Sequence, residues 1–132
     1  MRKIVLSLVM GLGVGMAQAD EAAVQGVIDA QIDAFKSDDF AQAFTYAHPS
    51  LRRLFGNPRN FARMVTQGYP MVHRPSSVEF LRSEGQGELW AQEVLIEDEQ
   101  GRLHKLFYQM VSTEEGWKIG GVNLVTLPEV GA

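Results

Sequence analysis

The spacing of apolar residues changes once along this chain, and the change limits the folds that the sequence can adopt. Up to about residue 68 the apolar residues recur three or four positions apart, which is the period of an amphipathic helix. From about residue 76 they alternate with polar residues, which is the period of a strand. Helices followed by strands, rather than interleaved with them, predict an α+β fold.

Three helices are predicted in the first half, over about 21–36, 38–47 and 57–68. Residues 50–55 favour a single helical turn, and two prolines make a regular structure unexpected over 69–75. The first helix buries a stripe at helical spacing, formed by Val24, Val27, Ile28, Ile32 and Phe35.

Four strands are predicted over 76–82, 88–97, 102–113 and 117–127. Hairpin-length connections make their sheet antiparallel, and the three helices are expected to pack on one face of it. The tail over 128–132 is expected to fray.

Composition excludes several classes of protein. The chain has 132 residues, 45% of them hydrophobic, which suits one globular domain. It has no cysteine, so disulfides, cysteine-ligated zinc, iron–sulfur clusters and thiol nucleophiles are ruled out. A net charge of -4 argues against a nucleic-acid partner, because phosphate contacts need clustered basic residues.

Residues 1–19 have the three parts of a cleavable signal peptide: two basic residues, an apolar run over 4–16, and the small-residue site Ala17-Gln18-Ala19. We therefore expect cleavage after Ala19, a single mature domain over 20–132, and a periplasmic or secreted location. The alternative, a membrane anchor, is disfavoured because an apolar run of 13 residues is shorter than the roughly 20 that cross a bilayer. No stable membrane anchor is expected after cleavage.

Longer strings of the sequence carry a family resemblance. They are VIDAQIDAF (27–35), AFTYAHP (43–49), GNPRNFARMVTQGYPMVHRP (56–75), EDEQGRLHKLFYQM (97–110) and GWKIGGVNL (116–124). On these residues the chain resembles the nuclear-transport-factor-2-like (cystatin-like) superfamily, and within it a family of exported bacterial proteins of unknown function. The resemblance implies helices lying across a strongly curved four-stranded sheet to form a cone, often with a pocket. It also implies pairing of two copies through the open sheet face.

No residue is assigned to catalysis, to a metal or to a cofactor. Glu93 is the best-placed carboxylate, on a strand face with apolar neighbours, but an ion pair or a solvated edge is the favoured interpretation, because strand carboxylates usually face water. His48, His73 and His104 have no ligand spacing, so no metal site is expected.

A ligand pocket lined with amides and aromatic rings is the alternative to a catalytic site. Gln31 falls on the apolar face of the first helix, and a buried amide needs partners. Trp90 and Gln92 share a face of the second strand, and Tyr108 lies on the third. In the fourth strand, alternation predicts a common face for Trp117, Ile119, Gly121 and Asn123. These groups suit a small neutral or weakly polar ligand, or else an internal hydrogen-bond network.

Two other features have both a functional and a structural interpretation. Tyr69, His73 and Arg74 lie where the helices join the sheet, and they could grip an anionic or aromatic group or simply form a proline-pinned connector. The basic cluster Arg52, Arg53, Arg59 and Arg63 could meet anionic lipid or a partner, or remain a solvated helical face.

The sequence therefore favours an exported, non-catalytic domain that binds a small molecule or a protein partner. A homodimer is expected if Leu103, Phe107 and Val111 form an exposed apolar sheet face. The alternative is an enzyme, ketosteroid-isomerase-like or hydrolase-like, acting on a small hydrophobic substrate in the cone. A third option is an accessory protein whose cone is filled.

Overall fold

Five helices precede a four-stranded sheet in the computed structural model, which describes the backbone of residues 2–127 and the side chains of residues 18–127. The elements are α1 Arg2–Lys36, α2 Phe40–Thr45, α3 Pro49–Phe55, α4 Pro58–Gly68, α5 Pro70–His73, β1 Ser77–Gln86, β2 Leu89–Glu97, β3 Leu103–Thr113 and β4 Gly116–Val125. The predicted tail over 128–132, and the side chains of most of the predicted signal peptide, lie outside the described residues. No helix in the described part of the chain is both long enough and apolar enough to cross a membrane.

The predicted α+β architecture is confirmed. The strands pair in the order β1-β2-β3-β4, and every neighbouring pair is antiparallel. The three predicted helices correspond to the C-terminal part of α1, to α2 and to α4, and the predicted single turn is α3.

The segment over 69–75 was expected to be irregular, and that expectation is wrong for part of it. Pro70–His73 form the one-turn helix α5, with Pro70 at its start. A proline suits the first turn because its fixed φ is helical and its missing N–H would have no helical partner there.

The core lies between α1 and one face of the sheet, which we call the inner face. From α1 it takes Val24, Ile28, Ile32 and Phe35, whose spacing places them on one side of the helix. From the middle strands it takes residues two apart, namely Val94, Ile96, Leu106, Tyr108 and Met110. The residues between them, such as Glu93 and Phe107, lie on the opposite or outer face of the sheet.

A bulge in β4 corrects the predicted common face of that strand. Gly121 pairs with Gln109 and Ile119 pairs with Met110, so Gly120 is the extra residue. Trp117 and Ile119 therefore share the side of Met110, whereas Asn123 pairs with Phe107 on the outer face. Simple alternation fails here because one unpaired residue reverses the facing of every residue beyond it.

Trp90 packs directly over a glycine of the neighbouring strand. Gly85 is its cross-strand partner, and a Cβ built on Gly85 would lie 1.8 Å from Trp90 Cε3. The indole is held in place because its Nε1 donates to Ser83 Oγ over 2.6 Å and its ring makes an edge contact with Trp117. The absence of a side chain at Gly85 is therefore a requirement of the packing.

We expect Gly85→Ala to lower the free energy of unfolding by about 1–3 kcal/mol, as overpacking does in a fixed environment. Gly26→Ala is the matched control, because its Cβ would meet nothing within 4 Å on α1. It should raise stability by about 0.5–1 kcal/mol through helix propensity. Urea unfolding of the two variants measures both effects, and equal stabilities would contradict the packing argument.

Candidate functional site

A partly enclosed cavity of about 360 Å³ lies between the helices and the inner face of the sheet. Its walls come from five parts of the chain: Gln31 and Phe35 of α1, Leu51 and Phe55 of α3, Phe61, Met64 and Val65 of α4, Tyr69 and Val72 after it, and Tyr108, Gly121, Val122 and Asn123 of the sheet. The volume is within the range of small-molecule sites.

The described lining carries no carboxylate, imidazole, ammonium or guanidinium group. Its polar side chains are two phenols and one amide, namely Tyr69, Tyr108 and Gln31, and Asn123 lies at its edge. The cavity is thus apolar with a few neutral hydrogen-bonding groups, which is the composition expected for a neutral ligand.

Gln31 is 4% exposed, so the amide predicted to lie on the apolar helix face is buried there. Its Nε2 donates to Ala43 O of α2 over 3.1 Å. Within the described residues its Oε1 accepts no hydrogen bond, and this oxygen is available to a donor in the cavity.

Tyr108 is buried completely, and its hydroxyl has no hydrogen-bond partner among the described residues. Burial raises the pKa of the Tyr108 phenol, and the nearby Tyr69 adds to the rise. The Tyr108 hydroxyl therefore stays protonated at any physiological pH. Tyr69 differs, because its hydroxyl donates to Val122 O over 3.4 Å.

Asn123 lies at the edge of the cavity. It is exposed and pairs with Phe107, so the bulge in β4 places it on the outer side of the sheet. Of the seven residues predicted for a ligand site, Gln31, Tyr69, Tyr108 and Asn123 line this cavity, and Trp90, Gln92 and Arg74 do not.

Gln92 forms the internal network that was the alternative to a ligand site. Its Oε1 accepts from Gln25 Nε2 over 3.2 Å. Its Nε2 donates to Glu93 O over 2.9 Å and to Arg82 O over 3.3 Å, next to the bulge in β1. All the polar atoms of this side chain are thus used within the protein.

Arg74 closes the C-terminal end of α1. Its Nη1 donates over 2.6 Å to Lys36 O, a carbonyl at the end of the helix, and over 3.2 Å to Phe35 O, which also accepts from Asp38 N. Its Nη2 reaches both carboxylate oxygens of Asp38, and His73 Nε2 lies 2.7 Å from Asp38 Oδ1. We call Asp38, His73 and Arg74 the α1 clamp.

The remaining charged candidates form separate pairs. Glu93 lies on the outer face, with its carboxylate 2.8 Å from Lys105 Nζ. His104 Nε2 is 2.8 Å from Asp98 Oδ2, and His48 Nδ1 is 2.9 Å from Ser50 Oγ. Among the described residues no three potential ligand side chains come together to hold a metal ion.

Sequence reasoning missed most of the apolar wall. Leu51 and Phe55 are four residues apart on α3, a spacing that indicates a common helical face. This spacing places both residues on one side of a helix, but in so short a helix it does not indicate which side faces the core.

This arrangement of helices across a four-stranded antiparallel sheet is a nuclear-transport-factor-2-like fold. A crystal structure of an NTF-2-like protein of unknown function from Burkholderia xenovorans LB400 is similar, with a TM-score of 0.51 and 19% sequence identity over 83% of this chain and 88% of that chain. The chain belongs to the family described as "Domain of unknown function (DUF4864)", whose profile matches residues 17–132. No curated protein matches the sequence.

We expect Asp38→Asn to weaken the α1 clamp in a pH-dependent way. Hydrogen bonds from His73, and then from Arg74, hold the pKa of the Asp38 carboxyl below its usual value. A depressed folded-state pKa stabilises the protein above the unfolded pKa of about 3.9, and this stabilisation is lost as pH falls through the folded value.

The variant should therefore unfold at a lower urea concentration than the parent at pH 7, and the difference should shrink as the pH falls through the lowered pKa of the Asp38 carboxyl. Asparagine tolerates the left-handed backbone at Asp38, where φ is 57°, so the change tests the charge. Asp33→Asn is the control, because among the described residues its carboxylate forms one ion pair, 4.0 Å to Lys36 Nζ at the helix surface. A pH-independent difference for Asp38→Asn would contradict this account.

Proposed function

We propose that this protein is an exported, non-catalytic domain whose cavity binds a small neutral ligand with a hydrogen-bond acceptor. One observation carries the proposal: the Tyr108 hydroxyl is fully buried at an apolar cavity without a partner among the described residues. An unpaired buried hydroxyl costs about 1–3 kcal/mol, and an acceptor on a ligand would relieve that cost.

The contrast with Gln92 favours a ligand over an internal network at this place. Both side chains are buried on neighbouring strands of the same face, and Gln92 pairs with Tyr108 in the ladder. The fold supplies partners for Gln92 but leaves the Tyr108 donor and the Gln31 Oε1 acceptor unused. A ligand carrying a carbonyl or a hydroxyl group would use one or both.

The chemistry of the lining favours binding over catalysis. General acid–base catalysis needs a group with a pKa near the working pH, and a buried phenol with a raised pKa is far from that. Glu93, the carboxylate considered for an enzyme, lies on the outer face in an ion pair with Lys105. The enzyme alternative would therefore have to rely on neutral phenol and amide groups.

A matched pair of probes tests the Tyr108 donor. 2-Acetylnaphthalene and 2-ethylnaphthalene have nearly the same shape, but only the ketone has an acceptor. We expect the parent protein to bind the ketone about 5–10-fold more tightly, as one buried hydrogen bond allows, and Tyr108→Phe to remove that preference. Tryptophan and probe fluorescence measure both affinities.

Stability provides the second readout for the same variant. Without ligand, the free energy of unfolding of Tyr108→Phe should be about 1 kcal/mol higher than that of the parent, because the change removes an unsatisfied buried group. Tyr46→Phe is the control, since its hydroxyl bonds Gln42 at the surface, and it should keep the preference for the ketone. Equal affinity of the parent for both probes, or a preference that survives in Tyr108→Phe, would contradict the proposal.

The outer face of the sheet supports a second candidate role, pairing of two copies. Leu103 is 53% exposed at one end of the β2–β3 ladder, and Leu89 is 63% exposed at the other. Beside Leu89, a groove is lined by Ala91, Val111 and Gly120. A two-fold axis through the middle of the face would set each Leu103 into the groove of the second copy.

We expect sedimentation velocity to detect a dimer at micromolar concentration and Leu103→Glu to dissociate it. A charge placed in an apolar contact loses hydration without gaining a partner. Leu54→Glu, on the far helical side, is the control and should leave the dimer intact. A monomeric parent protein, or a dimer that tolerates Leu103→Glu, would exclude this interface.

A further inference from the structure

Charge is strongly segregated along this acidic chain. Residues 40–78 contain five of the twelve basic residues and none of the sixteen acidic ones, although the whole chain has a net charge of -4. This segment forms α2 to α5, so one side of the molecule is basic and the remainder is acidic.

Four of these arginines lie on α3 and α4 and form no ion pair within the described residues: Arg52, Arg53, Arg59 and Arg63. Two other arginines do have acidic partners, Arg74 with Asp38 and Arg82 with Glu84. The four charges are therefore available to an anionic surface.

The geometry of α4 points two of these arginines away from the core. Arg59 and Arg63 are four residues apart, on the side of the helix opposite Phe61 and Val65, which are buried. On α3, Arg53 is exposed in the same way, opposite the wall residues of the cavity. All three side chains are exposed, so an anionic surface could contact them without disturbing the packing.

An apolar residue accompanies the charges. Leu54 is 74% exposed, more than any other large hydrophobic residue of the described chain. It follows Arg53 directly and nothing in the described residues covers it. We call Leu54 and the four arginines the basic face.

Arg52 adds a place for a phosphate group. Together with Arg53 it lines a shallow depression floored by Phe44 and Pro49. Guanidinium groups are strong donors to phosphate oxygens.

We propose that the basic face docks on an anionic phospholipid bilayer. Exposed arginines next to an exposed leucine match the two parts of a bilayer interface, the phosphates and the apolar boundary below them. The acidic remainder of the chain is repelled by the same surface, which orients the basic face towards it. A nucleic acid would use the arginines but would give no reason for Leu54.

Co-sedimentation with vesicles tests this, using the full chain and phosphatidylcholine vesicles with or without phosphatidylglycerol. We expect binding only when phosphatidylglycerol is present, and loss of binding when sodium chloride rises from about 0.05 M to about 0.5 M. Arg53→Gln/Arg59→Gln/Arg63→Gln should weaken binding on the order of 100-fold, since each arginine near an anionic surface contributes about fivefold. Leu54→Ser, which changes no charge, should weaken it about tenfold.

The controls separate a docking face from general charge. Lys36→Gln/Arg82→Gln/Arg102→Gln changes the net charge by the same amount away from the basic face, and Leu124→Ser removes another exposed leucine; both should bind as the parent does. Every variant keeps the same N-terminal segment, so the contribution of that segment cancels. Equal loss in the control triple variant, or binding to both kinds of vesicle alike, would overturn the proposal. Displacement by inorganic phosphate at matched ionic strength would overturn it as well, because it would assign the arginines to free phosphate.

Discussion

The apolar contact between α1 and the inner face of the sheet is the interaction on which the other features depend. Val24, Ile28 and Ile32 are buried against strand residues that are themselves inaccessible. Complete burial of such side chains contributes about 1.5–3 kcal/mol each. Because α1 is fixed in this way, the α1 clamp, the position of α2 and the cavity all have a rigid reference.

Polar groups within this apolar seam are of two kinds, and the difference between them is informative. Gln92 Nε2 donates to Glu93 O and to Arg82 O beside the bulge in β1, so its buried amide is satisfied and stabilises the sheet. Tyr108 stabilises nothing through its hydroxyl, which the fold buries and leaves unpaired. A phenylalanine there would pack the same ring without that cost, so folding alone gives no reason for the hydroxyl, and this is why we propose a ligand for it.

Much of this architecture follows from the sequence, because periodicity reports local geometry. The strand order, the helical stripe with Ile28 at its centre and the burial of Gln31 were all within reach of spacing arguments. What spacing could not predict depends on contacts distant in the chain. The bulge at Gly120 moved Asn123 to the outer side, and Arg74 proved to pair with Asp38, thirty-six residues earlier.

The helices α3 and α4 connect the cavity with the basic face, two features that the packing of the fold does not explain. Their inner sides supply Phe55 and Met64 to the cavity, and their outer sides carry the basic face. A fold that needed these helices only as cover would gain nothing from clustering unpaired arginines there, since like charges at that spacing repel one another. A bilayer at the outer side would offset that repulsion. It would also place the cavity wall next to a reservoir of small, weakly polar molecules, which is the class of ligand that we propose for the cavity.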